Sequence, residues 1–70
     1  MTLDQATKLF DLQNKGHMIK WNAGPYVDGF ARITTAPDGV LRIESRVYAL
    51  TPLVDVPKNK IEVYKSVDWG

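Results

Sequence analysis

Residues 17–35, HMIKWNAGPYVDGFARITT, contain the change of pattern that decides the fold. Before this stretch the apolar residues recur at helical spacing, whereas within it they alternate with polar residues. Alternation of this kind is typical of a β-strand with one buried face, and it holds on both sides of the Gly24-Pro25 step. The stretch therefore predicts two strands, at about residues 17–22 and 27–35, joined by a short loop.

The residues before this stretch predict one amphipathic helix at about residues 3–15. Thr2 and Gln5 have the spacing of a capping box, in which each side chain satisfies a backbone N–H at the start of a helix. Gly16 lies where a helix commonly ends on a left-handed residue. Four apolar residues fall on one side of this helix: Leu3, Ala6, Leu9 and Phe10.

The rest of the chain predicts further short strands. Residues 36–39, Ala-Pro-Asp-Gly, carry Pro and Gly at turn positions, so a hairpin is expected there. More strands are expected at about residues 40–50, 53–56 and 60–66. The result is a single α+β domain over residues 1–70, with four or five antiparallel strands after the helix. An SH3-like barrel is the preferred fold because it hides strand edges, and a helix packed on an open antiparallel sheet is the alternative.

Composition limits the classes of function. A chain of 70 residues without cysteine buries only about 60% of its unfolded surface, so we expect a homo-oligomer that buries more. Nine basic and eight acidic side chains give a formal charge of +1, far from the balance of a dedicated nucleic-acid binder. The sequence has neither a signal-peptide pattern nor an apolar stretch of membrane-spanning length. A cytoplasmic protein without a membrane partner is therefore expected.

Residue types that carry out catalysis or bind metals are sparse. The single histidine, His17, follows the predicted helix, where imidazole commonly interacts with the helix C-terminus. The aspartates outside the helix lie beside predicted turns or strand ends, where this residue commonly caps the backbone. No glycine pattern matches a phosphate-binding loop. The sequence therefore predicts a non-enzymatic protein, without catalytic residues, a metal site or a cofactor.

One face of the predicted sheet is the strongest candidate for a binding surface. If Ala31 and Ile33 point into the core, the residues between and beside them point outward, and the same alternation applies to the next strand. The outward set is Phe30, Arg32, Thr34, Arg42, Glu44, Arg46 and Tyr48. Arginine and tyrosine are enriched in interaction hot spots. The alternative is an ordinary solvated surface with Arg–Glu pairs, or a face covered by the helix.

The aromatic residues around the Gly24-Pro25 loop allow two interpretations. Trp21 and Tyr26 are expected to be near cross-strand neighbours, so they either form the edge of a binding site or close a small core. Trp69 either packs back onto the domain or contacts a neighbouring chain. The full set of candidate binding residues is Trp21, Tyr26, Phe30, Arg32, Arg42, Arg46 and Tyr48.

These observations leave three functional hypotheses. The first is a binding module that acts through protein–protein contact, such as an accessory protein of a phage or mobile element. The second is nucleic-acid binding, with phosphates contacted by Arg32, Arg42, Arg46, Lys58 and Lys60. The third is an oligomeric sponge for a small nucleotide, in which Trp21, Tyr26 or Tyr48 stacks on a base and an arginine binds the phosphate.

Residues 1–21, MTLDQATKLFDLQNKGHMIKW, resemble the start of small phage proteins that sequester immune nucleotide signals, the Thoeris anti-defence 2 group. The shared features are a short helix, a Lys-Gly step and a strand that holds a tryptophan. The resemblance covers under a third of the chain. It implies a compact oligomer that binds a nucleotide in a pocket between subunits.

Overall fold

A computed structural model describes residues 1–22, 29–46, 48–65 and 67–70. In these residues one helix, α1, precedes five strands and two short 3-10 turns. The elements are α1 (Leu3–Asn14), β1 (Ile19–Trp21), β2 (Phe30–Thr35), β3 (Leu41–Glu44), β4 (Thr51–Pro52), the turns Leu53–Asp55 and Lys58–Lys60, and β5 (Ile61–Val63). The α+β class predicted from the sequence is confirmed. No helix in this part of the chain is long and apolar enough to cross a membrane.

The strands form one antiparallel sheet in the order β4-β3-β2-β1-β5. β2 is shared between two ladders: Ala31 lies opposite Ile19 of β1, and Ile33 lies opposite Ile43 of β3. β4 and β5 form the two edges, and the sheet is not closed between them. The helix and the antiparallel sheet are thus confirmed, whereas the closed barrel stays a prediction.

The N-terminus of α1 has the capping box that the sequence predicts. The Gln5 N–H donates to the Thr2 hydroxyl over 3.1 Å, and the Thr2 N–H donates to the Gln5 side-chain oxygen over 2.9 Å. Both halves of the predicted capping box are therefore formed. At the other end Lys15 is the cap residue, and Gly16 has a φ of +99°, which other residues adopt only with strain.

α1 lies over β2, β3 and the first 3-10 turn and buries Ala6 and Leu9 completely. Leu3, expected on the buried side, is instead 68% exposed. The buried arc of the helix is centred on Leu9, and at about 100° per residue Leu3 lies roughly 120° from that centre. The core consists of Ala6, Leu9, Ile19, Trp21, Ile33, Ile43, Leu53, Val56, Ile61, Val63 and Trp69.

Two strand predictions are wrong in extent or type. The strand expected over 40–50 ends at Glu44, because the Ser45 and Tyr48 backbones then form a turn: the Ser45 N–H donates to the Tyr48 carbonyl over 3.1 Å. Residues 53–56, expected as a strand, contain a 3-10 turn. There Leu53 and Val56 are buried, and this spacing of three fits a 3-10 turn better than a strand.

The predicted hairpin turn joins β2 to β3. The Gly39 N–H donates to the Ala36 carbonyl over 2.8 Å, and Gly39 has a φ of +79°. A glycine is favoured here because a side chain would strain this left-handed conformation. The turn fixes the register in which Ile33 faces Ile43.

The Gln13 side chain forms hydrogen bonds with β2 just beyond the end of the β1–β2 ladder. Its side-chain NH₂ donates to the Ile33 carbonyl over 2.7 Å, and its side-chain oxygen accepts from the Ile33 N–H over 2.8 Å. These main-chain groups lie on the β1 side of β2, beyond the last β1–β2 pair, Ile19 and Ala31. The helix is therefore joined to the sheet by hydrogen bonds as well as by apolar packing.

The C-terminal residues pack back onto the domain. Trp69 is only 8% exposed, and the Lys58 ammonium lies 5.5 Å from the centre of its ring. A cation at this distance from an aromatic ring is attracted to it. Residues 67–70 thus cover the core beside β5.

Candidate functional site

The candidate site is the face of the sheet that points away from α1, which we call the outer face. Lys20 of β1 lies opposite both Phe30 of β2 and Glu62 of β5, so these three side chains share one face. The Tyr64 N–H donates to the Met18 carbonyl over 2.9 Å and extends the β1–β5 ladder by one pair. The outer face at β1, β2 and β5 is formed by Met18, Lys20, Phe30, Arg32, Glu62 and Tyr64.

The main apolar feature of the outer face is an aromatic pair, Phe30 and Tyr64, which we call the aromatic patch. The two ring centres are 5.9 Å apart and the ring planes meet at 82°, an edge-to-face arrangement. Phe30 is 47% exposed and Tyr64 is 54% exposed. Contact between the two rings restricts both side chains while each keeps about half of its surface available to a partner.

Charges of both signs surround the aromatic patch. Lys20 faces Glu62 across the β1–β5 ladder, and Arg32 faces Glu44 across the β2–β3 ladder. The ion pairs in the described part of the chain, Lys15–Asp11 and Arg42–Asp38, lie outside these positions. The outer face therefore carries nearly balanced charge, and the described residues show no ion pair within it.

Open depressions border Phe30 on several sides. One of about 190 Å³ lies towards β5 and includes Tyr64 and Lys65 in its lining. A second, of about 380 Å³, lies between the start of β2 and the end of β3 and includes Arg46. A third, of about 480 Å³, lies towards the end of α1 and includes His17. Side chains of a partner could enter these depressions around the aromatic patch.

Three of the predicted site residues are brought together by the fold. Phe30, Arg32 and Arg46 all line the depression between β2 and β3, together with Glu44. Both arginines are exposed. This part of the predicted surface exists as a continuous area.

Two predicted site residues lie on the inner side of the sheet. Trp21 is 6% exposed and belongs to the core. Tyr48 is half-buried against that core, and its ring centre lies 5.5 Å from the ring centre of Trp21. The expectation that Tyr48 points outward is wrong, because the turn after Glu44 breaks the alternation on which it was based. Tyr26, the expected neighbour of Trp21, lies outside the described residues.

Arg42 is held by the hairpin. Its guanidinium forms two hydrogen bonds to the Asp38 carboxylate, of 2.9 and 3.2 Å. The hydrogen bond from Arg42, followed by the bond from the Val40 N–H, lowers the pKa of Asp38 below its usual range. Arg42 therefore stabilises the hairpin rather than presenting a free cation.

Sequence reasoning missed four residues of the outer face: Met18, Lys20, Glu62 and Tyr64. The signal was present for Tyr64, because apolar Ile61 and Val63 alternate with Glu62 and Tyr64, which places Tyr64 on the same side of the strand as Glu62. Its proximity to Phe30 depends on the order of the strands, because β5 pairs with β1 rather than with β4. Strand order is a tertiary property, so alternation within each strand could not supply this contact.

The described residues offer no group of three or more His, Asp or Glu side chains that could hold a metal ion. Comparisons of the chain with protein-family models, with curated proteins and with solved structures find no match. No residue role is therefore carried over from another protein.

Proposed function

We propose that this chain is a small non-enzymatic binding module whose outer face contacts a protein partner. The observation that carries the proposal is the aromatic patch, an edge-to-face pair that stays half exposed while Ile33 and Ile43 on the inner face are buried. Aromatic side chains are the commonest anchors of protein interfaces because they bury a large area with few rotatable bonds.

The surroundings of the aromatic patch fit the usual anatomy of an interface. Interfaces combine an apolar centre with a polar rim, and here Lys20, Arg32 and Glu62 surround Phe30 and Tyr64. The edge-to-face contact holds both rings in place before binding, which lowers the entropy cost of forming the complex.

Charge favours a protein over a nucleic acid as the partner. Glu44 and Glu62 lie directly opposite the cations of the outer face and would repel phosphates there. Two of the five cations expected to contact phosphates are engaged elsewhere: Arg42 binds Asp38, and Lys58 lies over the Trp69 ring. A protein surface of mixed charge matches this pattern better than a polyanion does.

The nucleotide hypothesis receives less support from the aromatic residues. Trp21, proposed to stack on a base, is in the core, and Tyr48 packs against it. Stacking requires an accessible ring face, which the buried Trp21 lacks and the half-buried Tyr48 offers only in part.

We also propose that the sheet curls into a partly open SH3-like barrel. The support is the shared strand β2, which pairs with β1 at one end and with β3 at the other. In this proposal β4 and β5 approach through side-chain packing, with Leu53 and Val63 in one core. Nuclear Overhauser contacts between these two side chains are expected, and their absence in solution would contradict the barrel.

The proposed function is tested by photo-crosslinking in cells that produce the protein. A photoreactive phenylalanine analogue replaces Phe30 in one variant and Tyr64 in another. The matched controls carry the analogue at Leu3 or Val54, which are also exposed apolar positions but lie away from the outer face. We expect a discrete crosslinked product from positions 30 and 64 and none from positions 3 and 54.

Digestion of the crosslinked product identifies the class of partner. A product that protease removes and nuclease leaves intact supports the proposal, whether the partner is a different protein or a second copy. A nuclease-sensitive product supports nucleic-acid binding instead. Equal crosslinking from all four positions, or none from positions 30 and 64, contradicts a binding role for the outer face.

A further inference from the structure

Two of the depressions that border Phe30 each contain an excess of positive charge. The charged lining residues are Arg32, Arg46 and Glu44 on the β3 side, and Lys20, Lys65 and Glu62 on the β5 side. Each of these depressions combines two cations with one anion. The third depression, towards the end of α1, has Arg32 and His17 but no acidic side chain among its described lining residues. An acidic group of a partner would reduce the positive charge in any of them.

The excess comes from the two cations that lie beyond the strand ends. Within the ladders, the cation of β1 faces the glutamate of β5, and the cation of β2 faces the glutamate of β3. Arg46 and Lys65 follow the ends of β3 and β5, outside this pairing. Both side chains are exposed, and neither forms an ion pair in the part of the chain that the structure describes.

Local backbone structure holds both cations beside the aromatic patch. Arg46 lies in the turn after β3, where the Ser45 N–H donates to the Tyr48 carbonyl over 3.1 Å and the Tyr48 N–H donates to the Ser45 hydroxyl over 3.0 Å. Lys65 has a φ of +70°, a left-handed conformation that residues with a side chain adopt rarely. This conformation ends the alternation of β5, so Lys65 lines the same depression as Tyr64 instead of lying on the inner face.

We propose that the partner of the outer face presents an acidic segment, whose carboxylates bind Arg46 on one side of the aromatic patch and Lys65 on the other. An apolar side chain between the two carboxylates would contact the patch. This inference rests on the proposed function and adds the chemistry of the partner. Arginine binds a carboxylate through up to two charge-assisted hydrogen bonds, and lysine binds it as a compact point charge.

The order of the strands sets the spacing of the acidic groups. β1 and β2 lie between β5 and β3, so the backbones that carry the two cations are separated by three strand spacings, about 14 Å. An extended chain rises about 3.3 Å per residue, so its residues i and i+4 are about 13 Å apart and share a face with residue i+2. An extended segment with acidic residues at i and i+4 and an apolar residue at i+2 therefore matches the arrangement.

A polyanion fits this arrangement less well than a protein segment with two acidic groups. Glu44 and Glu62 line the same depressions as the cations, so a polymer with a negative charge at every position would be repelled beside each of them. An apolar residue at the centre of the segment would instead bury part of the exposed surface of Phe30 and Tyr64.

The test adds two synthetic heptapeptides with blocked ends, Gly-Glu-Ser-Leu-Ser-Glu-Gly and Gly-Lys-Ser-Leu-Ser-Lys-Gly, to the ¹⁵N-labelled 70-residue chain. We expect the acidic peptide to shift the amide resonances of Phe30, Arg46 and Lys65 in a saturable manner, and the basic peptide to bind at least about tenfold more weakly. Arg46→Glu and Lys65→Glu should each weaken binding of the acidic peptide about fivefold or more, because an attraction becomes a repulsion. The control Lys8→Glu makes the same change in net charge on α1 and should alter binding less than about twofold.

The inference is overturned if the acidic peptide produces no saturable shift, if the basic peptide binds as tightly, or if charge reversal at position 46 or 65 has no more effect than reversal at position 8. A thymidine decanucleotide that binds at the same amides more tightly than the acidic peptide also overturns it, and assigns the cations to a nucleic acid. Protein crosslinks at positions 30 and 64 that form in any of these cases leave the proposed function intact. Their absence contradicts the proposed function itself, whatever the peptides do.

Discussion

Each face of the sheet contains a contact between two large apolar side chains, but the two contacts have different surroundings. On the inner face Ile33 and Ile43 lie directly opposite each other and are almost completely buried beneath α1. On the outer face Phe30 and Tyr64 also contact each other, yet about half of each side chain is exposed. The inner pair is covered by α1, whereas the outer pair lies among charged side chains of the same face.

The two faces should therefore differ in energetic role: the inner face stabilises the fold, and the outer face is available for binding. Burial of a large apolar side chain contributes roughly 1.5–3 kcal/mol to folding, and the inner face carries most of this contribution. The half-exposed rings of the outer face keep part of their apolar surface for a partner. Substitutions on the two faces should therefore have clearly different effects.

Truncation of the inner face gives the largest expected effect. Leu9→Ala should lower the free energy of unfolding by about 3–4 kcal/mol, because it leaves a cavity at a fully buried site. The outer-face counterpart, Phe30→Ala, should cost about 1 kcal/mol or less, since mainly one ring contact is lost. Urea denaturation followed by circular dichroism measures both values.

A domain of this size has only a few kcal/mol of stability in total, so Leu9→Ala could unfold the chain outright. The milder Ile43→Val variant keeps the test measurable and should cost roughly 1 kcal/mol. If Leu9→Ala and Phe30→Ala lowered the free energy of unfolding equally, the two faces would not differ in their contribution to stability.

The next effect tests whether the C-terminal residues belong to the inner face. Trp69→Ala should lower the free energy of unfolding by at least about 2 kcal/mol, because the ring is buried in the core and contacts Lys58. Trp69→Phe should recover a large part of this loss by refilling the space. If Trp69→Ala unfolds at the same urea concentration as the original chain, the C-terminal segment is not part of the core.

A smaller effect tests the polar connection between α1 and the sheet. Gln13→Ala removes two hydrogen bonds to Ile33 and should cost about 1–2 kcal/mol, with faster hydrogen exchange at the Ile33 amide. The neighbouring Asn14→Ala substitution, at an exposed position, is the control and should change stability little. An unchanged rate of hydrogen exchange at the Ile33 amide in Gln13→Ala would show that the Gln13 side chain does not hydrogen-bond to this N–H in solution.

The smallest expected effect concerns the hairpin that joins β2 to β3. Because the pKa of Asp38 is lowered in the folded chain, the ionised carboxylate stabilises the hairpin above its unfolded-state pKa. This contribution is lost as the pH falls below about 3.8 and through the lower folded-state value. The Tm advantage of the original chain over Asp38→Asn should therefore be slight at neutral pH and disappear in acid.

Carbon-detected NMR titration of Asp38 measures the shift directly. In Arg42→Ala the pKa of Asp38 should move back towards its ordinary value, because the largest cause of the lowering is removed. An unchanged titration curve would mean that the Arg42–Asp38 hydrogen bonds do not persist in solution.

The elements that the sequence predicts well are those set by neighbouring residues. The capping box places the start of α1, and the alternation of apolar and polar residues indicates the strand at Ile19–Trp21. The Pro-Asp-Gly turn likewise sets the register between Ile33 and Ile43. Each depends on contacts within a few residues or within one hairpin, which the linear pattern encodes.

Other features depend on contacts that a linear pattern does not contain. Tyr48 lies inward because Ser45 starts a turn, a competition between strand and turn that the alternation concealed. Gln13 is a polar residue on the packed side of α1. Its hydrogen bonds to Ile33 could not be predicted without knowing that the β1–β2 pairing stops at Ala31. The aromatic patch was half predicted: Phe30 followed from alternation, but Tyr64 required the strand order.

The most direct test of a separate binding face compares two double variants in the same co-purification. Phe30→Ser combined with Tyr64→Ser removes the aromatic patch, while Leu3→Ser combined with Val54→Ser removes a similar exposed apolar area elsewhere. We predict that both variants fold, and that only the first loses the protein that crosslinks at positions 30 and 64. Retention of that protein by the folded Phe30→Ser and Tyr64→Ser variant would contradict the account.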